Sequence, residues 1–203
     1  MAYYGLSKPY IAKFDPATKK YSDGFRCGKA VGTDITPNYN TAVLHGDNEP
    51  VESVDEFKDA DVNLNVTTMP IEASDVVFGH EVDAEKKEIK YKDTDSANFV
   101  GYGFCVNEMI NNVKLCVAAV LPKVKFKEAA ESYTTKGDSI EFKSPSITGK
   151  AYPGPDGLWK EKKVFDTEKE ACAWIKEKLE ITETENTEGT ENTESTDETE
   201  TTT

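Results

Sequence analysis

The chain has 203 residues, of which 24 are basic and 38 acidic, so its formal net charge is −14. This length favours a single domain that can bury roughly 70% of its unfolded surface. The negative charge, with Arg26 as the only arginine, argues against tight nucleic-acid binding, because phosphates are met by clustered basic side chains. No apolar run approaches the ~20 residues that cross a bilayer, which predicts a soluble protein without a membrane partner.

Much of the acidity lies at the end of the chain, in residues 181–203. This Thr/Glu-rich stretch holds eight carboxylates and no base, and without them the formal charge falls from −14 to −6. A segment that cannot bury apolar surface cannot offset the entropy lost on ordering. We therefore predict a disordered acidic tail over 181–203.

The first residues, 1–22, are rich in aromatic side chains that follow no sustained period. They include Tyr3, Tyr4, Tyr10, Phe14 and Tyr21. Two interpretations fit: an N-terminal arm that packs on another surface, or a short first strand of the chain's own domain. We divide the chain into an N-terminal arm over 1–22, a β domain over 23–180 and the acidic tail.

Two stretches, 27–39 and 57–67, alternate apolar and polar residues and are predicted as half-buried strands. The polar segment between them is predicted as an extended loop over 41–55. Loops of this length inside compact domains are usually functional. Because no catalytic group lies nearby, we expect this loop to contact a neighbouring molecule.

A short helix is predicted over 71–78, with Pro70 at its start and Gly79 at its end. Ile71, Val77 and Phe78 would cover a sheet. We expect His80, just beyond the helix, to be an ordinary surface histidine. Residues 82–91 are predicted as a charged hairpin.

The central stretch, 98–151, is predicted as three or four long antiparallel strands. Val100, Tyr102, Phe104 and Val106 share one face of the first strand, and the small residues Gly101, Gly103 and Cys105 on the other face leave room for close backbone approach. A tight turn at Asn111-Asn112 leads into a second strand, whose alternation slips by one residue at Pro122. This slip predicts a β-bulge.

A third strand is predicted through Ile140 and Phe142, with a loss of phase at Ser144-Pro145 before Ile147. Strands that change face midway are shared between two packed surfaces, as in sandwich corners and barrels. The predicted fold is mainly β, a two-sheet sandwich or barrel-like domain with a short flanking helix and a C-terminal helix.

The C-terminal helix is predicted over 167–179, after a weak strand at 159–165. Thr167 is its N-cap, and Glu170 would reach back to the Thr167 backbone in a capping box. The residues that form its apolar stripe are Ala171, Trp174, Ile175 and Leu179. Trp174 is interpreted as a packing anchor.

The four cysteines include no CxxC pair, and only His45 and His80 could complete a metal site, so we predict no zinc centre. Cys105 would face Cys116 across a four-residue hairpin loop but not across a two-residue loop. We expect a reducing compartment and free thiols.

No motif for hydrolysis, phosphate binding, dinucleotide binding or calcium binding occurs in the sequence. The many carboxylates are interpreted as solvated surface charge. We therefore predict no catalytic residue, no cofactor and no enzymatic activity. An enzyme with a carboxylate centre, or with a cysteine nucleophile beside His45 or His80, ranks last among the alternatives.

Eight collinear blocks over residues 3–180 carry a family resemblance: GLSKPYIAKFD, YSDGFRCGKAVGTDITPNYN, LHGDN, EFKDADVNLNVTTMPI, FVGYGF, VLPKVKF, TKGDSIEFKSPSITGKA and FDTEKEACAWIKEKL. Together they resemble the major tail protein, or tail tube protein, of long-tailed phages with non-contractile tails and Gram-positive hosts. The resemblance implies a structural subunit, six of which form a ring. Stacked rings would form the tube through which DNA leaves the virion.

By the same resemblance, the loop over 41–55 corresponds to the ring-stacking loop, and the arm around Tyr3 reaches a neighbouring ring. The residues implied in contacts between subunits are Tyr3, Tyr4, Val43, Leu44, His45, Asp47, Val51 and Val54. The acidic tail departs from the family's shared core.

The implied partners are further copies of the chain and the tape measure, tail terminator and distal tail proteins. DNA would pass through a net-negative lumen without specific binding, and the protein would be assembled in the host cytoplasm and reside in the virion tail. An alternative function is a monomeric β-sandwich that binds carbohydrate or protein through its aromatic residues and loops.

Overall fold

A computed structural model of the chain describes residues 2–47, 49–83, 85–110, 112–128, 135 and 144–182. The strands are β1 Ala2–Asp15, β2 Lys20–Arg26, β3 Ala30–Gly46, β4 Glu49–Val66, β5 Glu81–Asp83, β6 Glu88–Lys90, β7 Val100–Ile110, β8 Val113–Lys127, β9 Ser146–Ala151 and β10 Glu161–Phe165. A π-helical turn spans Ser74–Phe78, and one α-helix, α1, spans Glu168–Lys178. The prediction of a mainly β fold with a short flanking helix and a C-terminal helix is confirmed.

Eight strands form one antiparallel sheet in the order β2-β1-β7-β8-β9-β4-β3, with β10 paired to β8, and β5 and β6 form a separate hairpin. The sheet bends along β8, because β8 pairs with β10 in one half of the sheet and with β9 in the other. The first half of β8 pairs with β10, as in Val117↔Val164, and the second half pairs with β9, as in Val124↔Ala151. In the described part of the chain the sheet does not close, so the domain is sandwich-like rather than a complete barrel.

The predicted bulge at Pro122 is confirmed. Tyr102 pairs with Leu121, but Val100 pairs with Val124, so the register of β7 and β8 shifts by one residue around Pro122. Leu121 and Val124 stand at an odd and an even position, so in a regular strand they would face opposite sides. The register shift places both in the same core. A bulge also increases the local twist, which suits the point at which β8 changes its outer partner.

The alternation predicted the two faces of β7, and in the structure these faces contribute to two different cores. Val100, Tyr102 and Phe104 lie in the core between the two halves of the sheet, and the Tyr102 hydroxyl donates a hydrogen bond across it to Thr33 Oγ1 at 3.1 Å. Cys105, on the other face, lies in the core that α1 covers.

Close packing occurs behind Gly101 and Gly103, but side chains that include Ile175 and Leu179 fill the space rather than the predicted backbone. A Cβ atom added to Gly101 would lie 2.5 Å from Leu179 Cδ2, and one added to Gly103 would lie 2.5 Å from Ile175 Cγ2. The small residues of β7 therefore let the apolar stripe of α1 pack directly on the sheet. All four stripe residues, Ala171, Trp174, Ile175 and Leu179, are buried, as predicted.

The N-cap of α1 is confirmed, and its capping box differs in one bond. The Glu170 backbone N–H donates to Thr167 Oγ1 at 3.3 Å. The Glu170 carboxylate, however, accepts from the Thr167 hydroxyl at 2.9 Å rather than from the Thr167 backbone. The Trp174 ring lies 5.9 Å from that of Phe165, consistent with a packing anchor.

Residues 2–15 belong to the chain's own sheet, so the second interpretation of the N-terminal segment holds. β1 lies between β2 and β7, and its pairing with β7 runs from Ala2↔Met109 to Lys13↔Val100. The predicted boundary between 22 and 23 therefore falls inside β2. The aromatic residues obscured the strand because β1 is irregular, with register shifts after Tyr4 and Ser7.

The predicted loop over 41–55 is wrong: residues 41–46 continue β3 and residues 49–55 belong to β4. The two strands stay paired from Ala30↔Val66 to Gly46↔Glu49, and the Thr41 hydroxyl donates to Asp55 Oδ1 at 2.6 Å. The described side chains of residues 40–56 are all exposed. Because neither face is buried, apolar and polar residues need not alternate, and the sequence carries no strand signal.

The expectation of a surface histidine at His80 is also wrong. The predicted helix over 71–78 is seen as the π-helical turn, which Gly79 closes with φ 74° as predicted. His80 beyond it is only 7% exposed. Its Nδ1 atom lies 2.8 Å from Asp95 Oδ2, and its ring centroid is 4.4 Å from that of Tyr91. The loop that follows β6 therefore covers it.

The turn between β7 and β8 has the shorter of the two predicted lengths. Ile110 pairs with Val113, so two residues separate the paired positions, and Asn112 adopts φ 65°. Cys105 consequently pairs with Ala118, not Cys116. The hairpin predicted over 82–91 is confirmed as β5 and β6. The strand predicted through Ile140 and Phe142 and the tail from 183 lie outside the described residues, whereas Ile147 is buried on β9.

Candidate interaction surface

The most prominent surface feature is the outer part of the β3–β4 hairpin, residues 40–56, which we call the distal hairpin. Its large apolar side chains face solvent, with Leu44 62% and Val51 67% exposed. It carries five carboxylates, at positions 47, 49, 52, 55 and 56, and no lysine or arginine. An extension that is both apolar and acidic, and whose described side chains are all exposed, is suited to contact another molecule.

The register of β3 and β4 gives the distal hairpin two distinct faces. Consecutive cross-strand pairs point to opposite faces, so the pairs Ala42↔Val54 and Leu44↔Glu52 share one face. This face, which we call the acidic-apolar face, also carries Glu56 through its pair with Asn40. Val43 and Thr41 lie on the opposite face.

The root of the distal hairpin is held by an aromatic stack. The Tyr39 ring meets the Phe57 ring edge-on at 6.0 Å, and the Phe57 ring stacks on Trp159 at 4.7 Å with an interplanar angle of 18°. Trp159 lies two residues before β10, so the two halves of the sheet meet at this root. The stack fixes the direction in which the hairpin leaves the domain.

A charged cluster supports the same root. Lys150 Nζ lies 2.8 Å from Asp59 Oδ1 and 3.2 Å from Asp61 Oδ1, and Asn38 Nδ2 donates to both carboxylates. The hydrogen bonds from Asn38 and then Lys150 hold the pKa of each carboxyl below its usual value. The cluster joins β3, β4 and β9 where the hairpin leaves the sheet.

The site residues predicted from sequence fall into two separate groups. Val43, Leu44, His45, Asp47, Val51 and Val54 all lie on the distal hairpin. Tyr3 and Tyr4 lie instead at the start of β1, where they pair with Glu108 and Asn107 and are 57% and 41% exposed.

Tyr3 and Tyr4 border a cavity of about 440 Å3, which we call the groove. It opens between the β1–β7–β8 layer and β3. Its apolar floor is formed by Phe104, Val106, Val117 and Ala119, and its rim by Tyr3, Tyr4, Gly32, Ile35, Lys160 and Lys162. The groove is a concave counterpart to the projecting hairpin.

Lys160 and Lys162 are the rim residues that sequence reasoning missed. Lys162 Nζ lies 5.5 Å from the Tyr3 ring centroid, and Lys160 Nζ lies 5.5 Å from that of Trp159. Burial, followed by repulsion from Lys162, lowers the pKa of Lys160. In the sequence, these residues are seen only as two lysines that follow Trp159 at alternate positions. Their place beside the groove depends on the pairing of β10 with β8, which the sequence does not show.

Three thiols lie together beneath α1. Cys105 Sγ is 3.7 Å from Cys172 Sγ, and Cys116 belongs to the same buried cluster. All four cysteines are free and buried, and burial raises the pKa of Cys27 to about 12. Among the described residues, no group of three His, Cys, Asp or Glu side chains could hold a metal ion.

Several sheet edges remain open in the described part of the chain. β2, β3 and β10 each pair with a single neighbouring strand there. An open edge presents unpaired backbone groups, which can add a strand from another chain. These edges are a second means by which copies could join.

No helix in the described residues is long and apolar enough to cross a bilayer.

No model of a known protein family matches this chain, and no curated protein matches it significantly.

Proposed function

We propose that this protein is a structural virion subunit that assembles into stacked hexameric rings, forming the tail tube of a long-tailed, non-contractile phage. The observation that carries the proposal is the distal hairpin, which exposes Val43, Leu44, Val51 and Val54 to solvent in the lone subunit. Exposed apolar clusters of this kind mark surfaces that are covered on association. The collinear sequence blocks that resemble tail tube proteins support the same function.

The shape of the distal hairpin suits contact between rings. Its β3 side spans residues 40–46, and at ~3.4 Å per residue this part alone reaches about 20 Å beyond its root. The stack of Phe57 on Trp159 holds its direction. A directed extension of this length can reach a neighbouring copy without any change in the fold.

The open edges suit contact within a ring. β3 presents one edge of the bent sheet, and β10 and β2 present others. Pairing between edges of identical copies would join the sheets around a ring and satisfy their free backbone groups. The tape measure, tail terminator and distal tail proteins would meet the assembled rings rather than the lone subunit.

The charge of the chain suits a passage for DNA. With 38 acidic and 24 basic residues, the protein has no net attraction for phosphate. A lumen that held DNA tightly would slow its ejection. The lumen of the proposed tube would therefore weakly repel DNA, which would pass through it without being bound specifically.

The groove favours one alternative, a monomeric module that binds a carbohydrate or a protein. Exposed tyrosines beside an apolar cavity are found in such sites, and Tyr3 and Tyr4 have this arrangement. This alternative leaves the exposed distal hairpin without a role.

Size measurement and negative-stain microscopy of the full chain test the proposal. The protein, alone or co-expressed with the other tail proteins, is expected to form rings or hollow tubes of uniform diameter. A protein that stays monomeric in both preparations would contradict the proposal, and saturable binding of a saccharide or peptide by that monomer would favour the alternative.

A further inference from the structure

The groove combines an apolar floor with two lysines that have no carboxylate partner among the described residues. Its floor is apolar, with Phe104, Val106 and Val117 pointing into it, while two ammonium groups stand on one side. Among the described residues, these lysines contact aromatic rings, and neither has a carboxylate partner. A matching ligand would present apolar groups beside negative charge.

The surroundings of Lys160 favour a ligand that carries a negative charge. Lys160 is only partly exposed, and burial, followed by repulsion from Lys162, lowers its pKa below that of an ordinary lysine. A carboxylate brought into the groove would stabilise this ammonium group and would replace the water lost from it. The groove is thus suited to an acidic ligand more than to a neutral one.

The acidic-apolar face of the distal hairpin has the complementary character. Ala42, Leu44 and Val54 form its apolar part, and Glu52 and Glu56 lie on the same face at either end. This hairpin combines exposed aliphatic side chains with carboxylates and contains no lysine or arginine. It therefore provides both groups that the groove lacks.

A subunit cannot place its own distal hairpin in its own groove. Ile35 lines the groove, and Leu44 lies nine residues farther along the same strand, which separates them by about 30 Å. The ladder of β3 and β4 is continuous between these positions, and the Phe57–Trp159 stack braces it. The occupant must therefore come from a second molecule.

We propose that the groove is the receptor for the distal hairpin of a second copy of this chain. Leu44 and Val54 of one copy cover the apolar floor of the other, and Glu52 or Glu56 faces Lys160 and Lys162. The inference rests on the proposed self-assembly and names the two surfaces that carry it. Nucleic acid fits the groove less well, because only two lysines would meet its phosphates.

Charge reversal on β10 gives a matched test. Lys162 lines the groove, whereas Lys163 follows it on the opposite face of the same strand. Lys162→Glu is expected to lower the fraction of protein in tubes at least tenfold, and Lys163→Glu is expected to leave it unchanged. Combining Lys162→Glu with Glu52→Lys or Glu56→Lys is expected to restore assembly. Equal effects of the two single reversals would overturn the inference.

Cross-linking distinguishes this inference from the proposed function. All four native cysteines are buried, so a cysteine introduced at Leu44 in one copy and at Lys162 in another can be joined by a short bismaleimide. The expected product is a Leu44–Lys162 link between copies, with no link when Lys163→Cys replaces Lys162→Cys.

The outcomes separate the two claims. If tubes form but the Leu44–Lys162 link is absent and Lys162→Glu has no effect on assembly, the inference is overturned. The proposed tail tube function is then unaffected. The link in a preparation that forms only small oligomers would support the inference and contradict the tube. Absence of both tubes and link would contradict both.

Discussion

At the scale of single residues, the backbones of β8 and β9 approach each other closely at Gly149. A Cβ atom added there would lie 2.6 Å from the Lys125 carbonyl oxygen and 2.8 Å from Phe126 Cα. These are backbone atoms, so no side-chain rotation can relieve the overlap. This contact fixes β9 against the part of β8 that follows the bulge.

We expect Gly149→Ala to lower the free energy of unfolding by about 1–3 kcal/mol, because the two strands must move apart. Chemical denaturation measures the change. Gly32→Ala is the matched control, since its added Cβ would lie 3.4 Å from Asn65 Nδ2, an ordinary contact with a side chain. Equal stability of the two variants would show that β8 and β9 are not packed as described.

The charged cluster at the hairpin root predicts a pH dependence of stability. The pKa of Asp59 is lowered in the folded state by hydrogen bonds from Asn38 and Lys150. Its contribution to stability is therefore fully present above the unfolded pKa of about 3.9 and is lost as the pH falls through the lower folded value.

We accordingly expect Asp59→Asn to lower the Tm at neutral pH, with a difference from the wild type that shrinks below about pH 4. Thermal denaturation at several pH values measures it. Asp93→Asn, at an exposed position, serves as the control. A difference that stayed constant down to pH 2 would contradict the assigned role of the Asp59 carboxylate.

Single residues also show where sequence reasoning succeeds and where it stops. The small residues Gly101 and Gly103 did predict a closely packed place on β7, but side chains fill it rather than the expected backbone. The burial of His80 was missed because its partner Asp95 lies on a loop that folds back over it. Such a contact leaves no periodic pattern in the sequence.

At the scale of elements, the distal hairpin can be altered without touching the core. We expect replacement of Leu44–Glu52 by Asn-Gly, which favours a tight hairpin turn and keeps Val43 paired with Ser53, to leave a folded subunit that cannot stack. The physical reason is that the described side chains in this range are exposed. Circular dichroism and microscopy measure folding and stacking separately.

The control for this variant is Lys86→Ser, at an exposed turn whose lysine is 72% exposed. It should fold and stack like the wild type. Normal tubes from the shortened hairpin would contradict the role given to the distal hairpin in stacking. Loss of the folded subunit would contradict its independence from the core.

The elements themselves were predictable wherever one face is buried. The alternation on β7, the slip at Pro122 and the apolar stripe of α1 each follow from the difference between a buried and an exposed face. Residues 40–56 form strands with both faces in solvent, so their sequence resembles that of a loop. The groove was not predictable, because Lys162 and Tyr3 meet only through the pairing of distant strands.

At the scale of the whole molecule, the net charge predicts a weak affinity for DNA. With a formal net charge of −14, we expect binding to duplex DNA at physiological salt no tighter than a Kd of about 10⁻⁴ M. Fluorescence anisotropy with labelled DNA measures this. Tighter binding that weakened steeply with added salt would instead indicate a basic patch and contradict the proposed inert passage.

The proposed self-assembly requires that surfaces left open in one copy are covered by identical copies. A three-dimensional reconstruction of the assembled protein by electron cryomicroscopy tests it most directly. We expect rings of six subunits in which residues 40–56 of each subunit contact a copy in the adjacent ring. A reconstruction in which those residues remain in solvent, or in which no repeating ring exists, would contradict it.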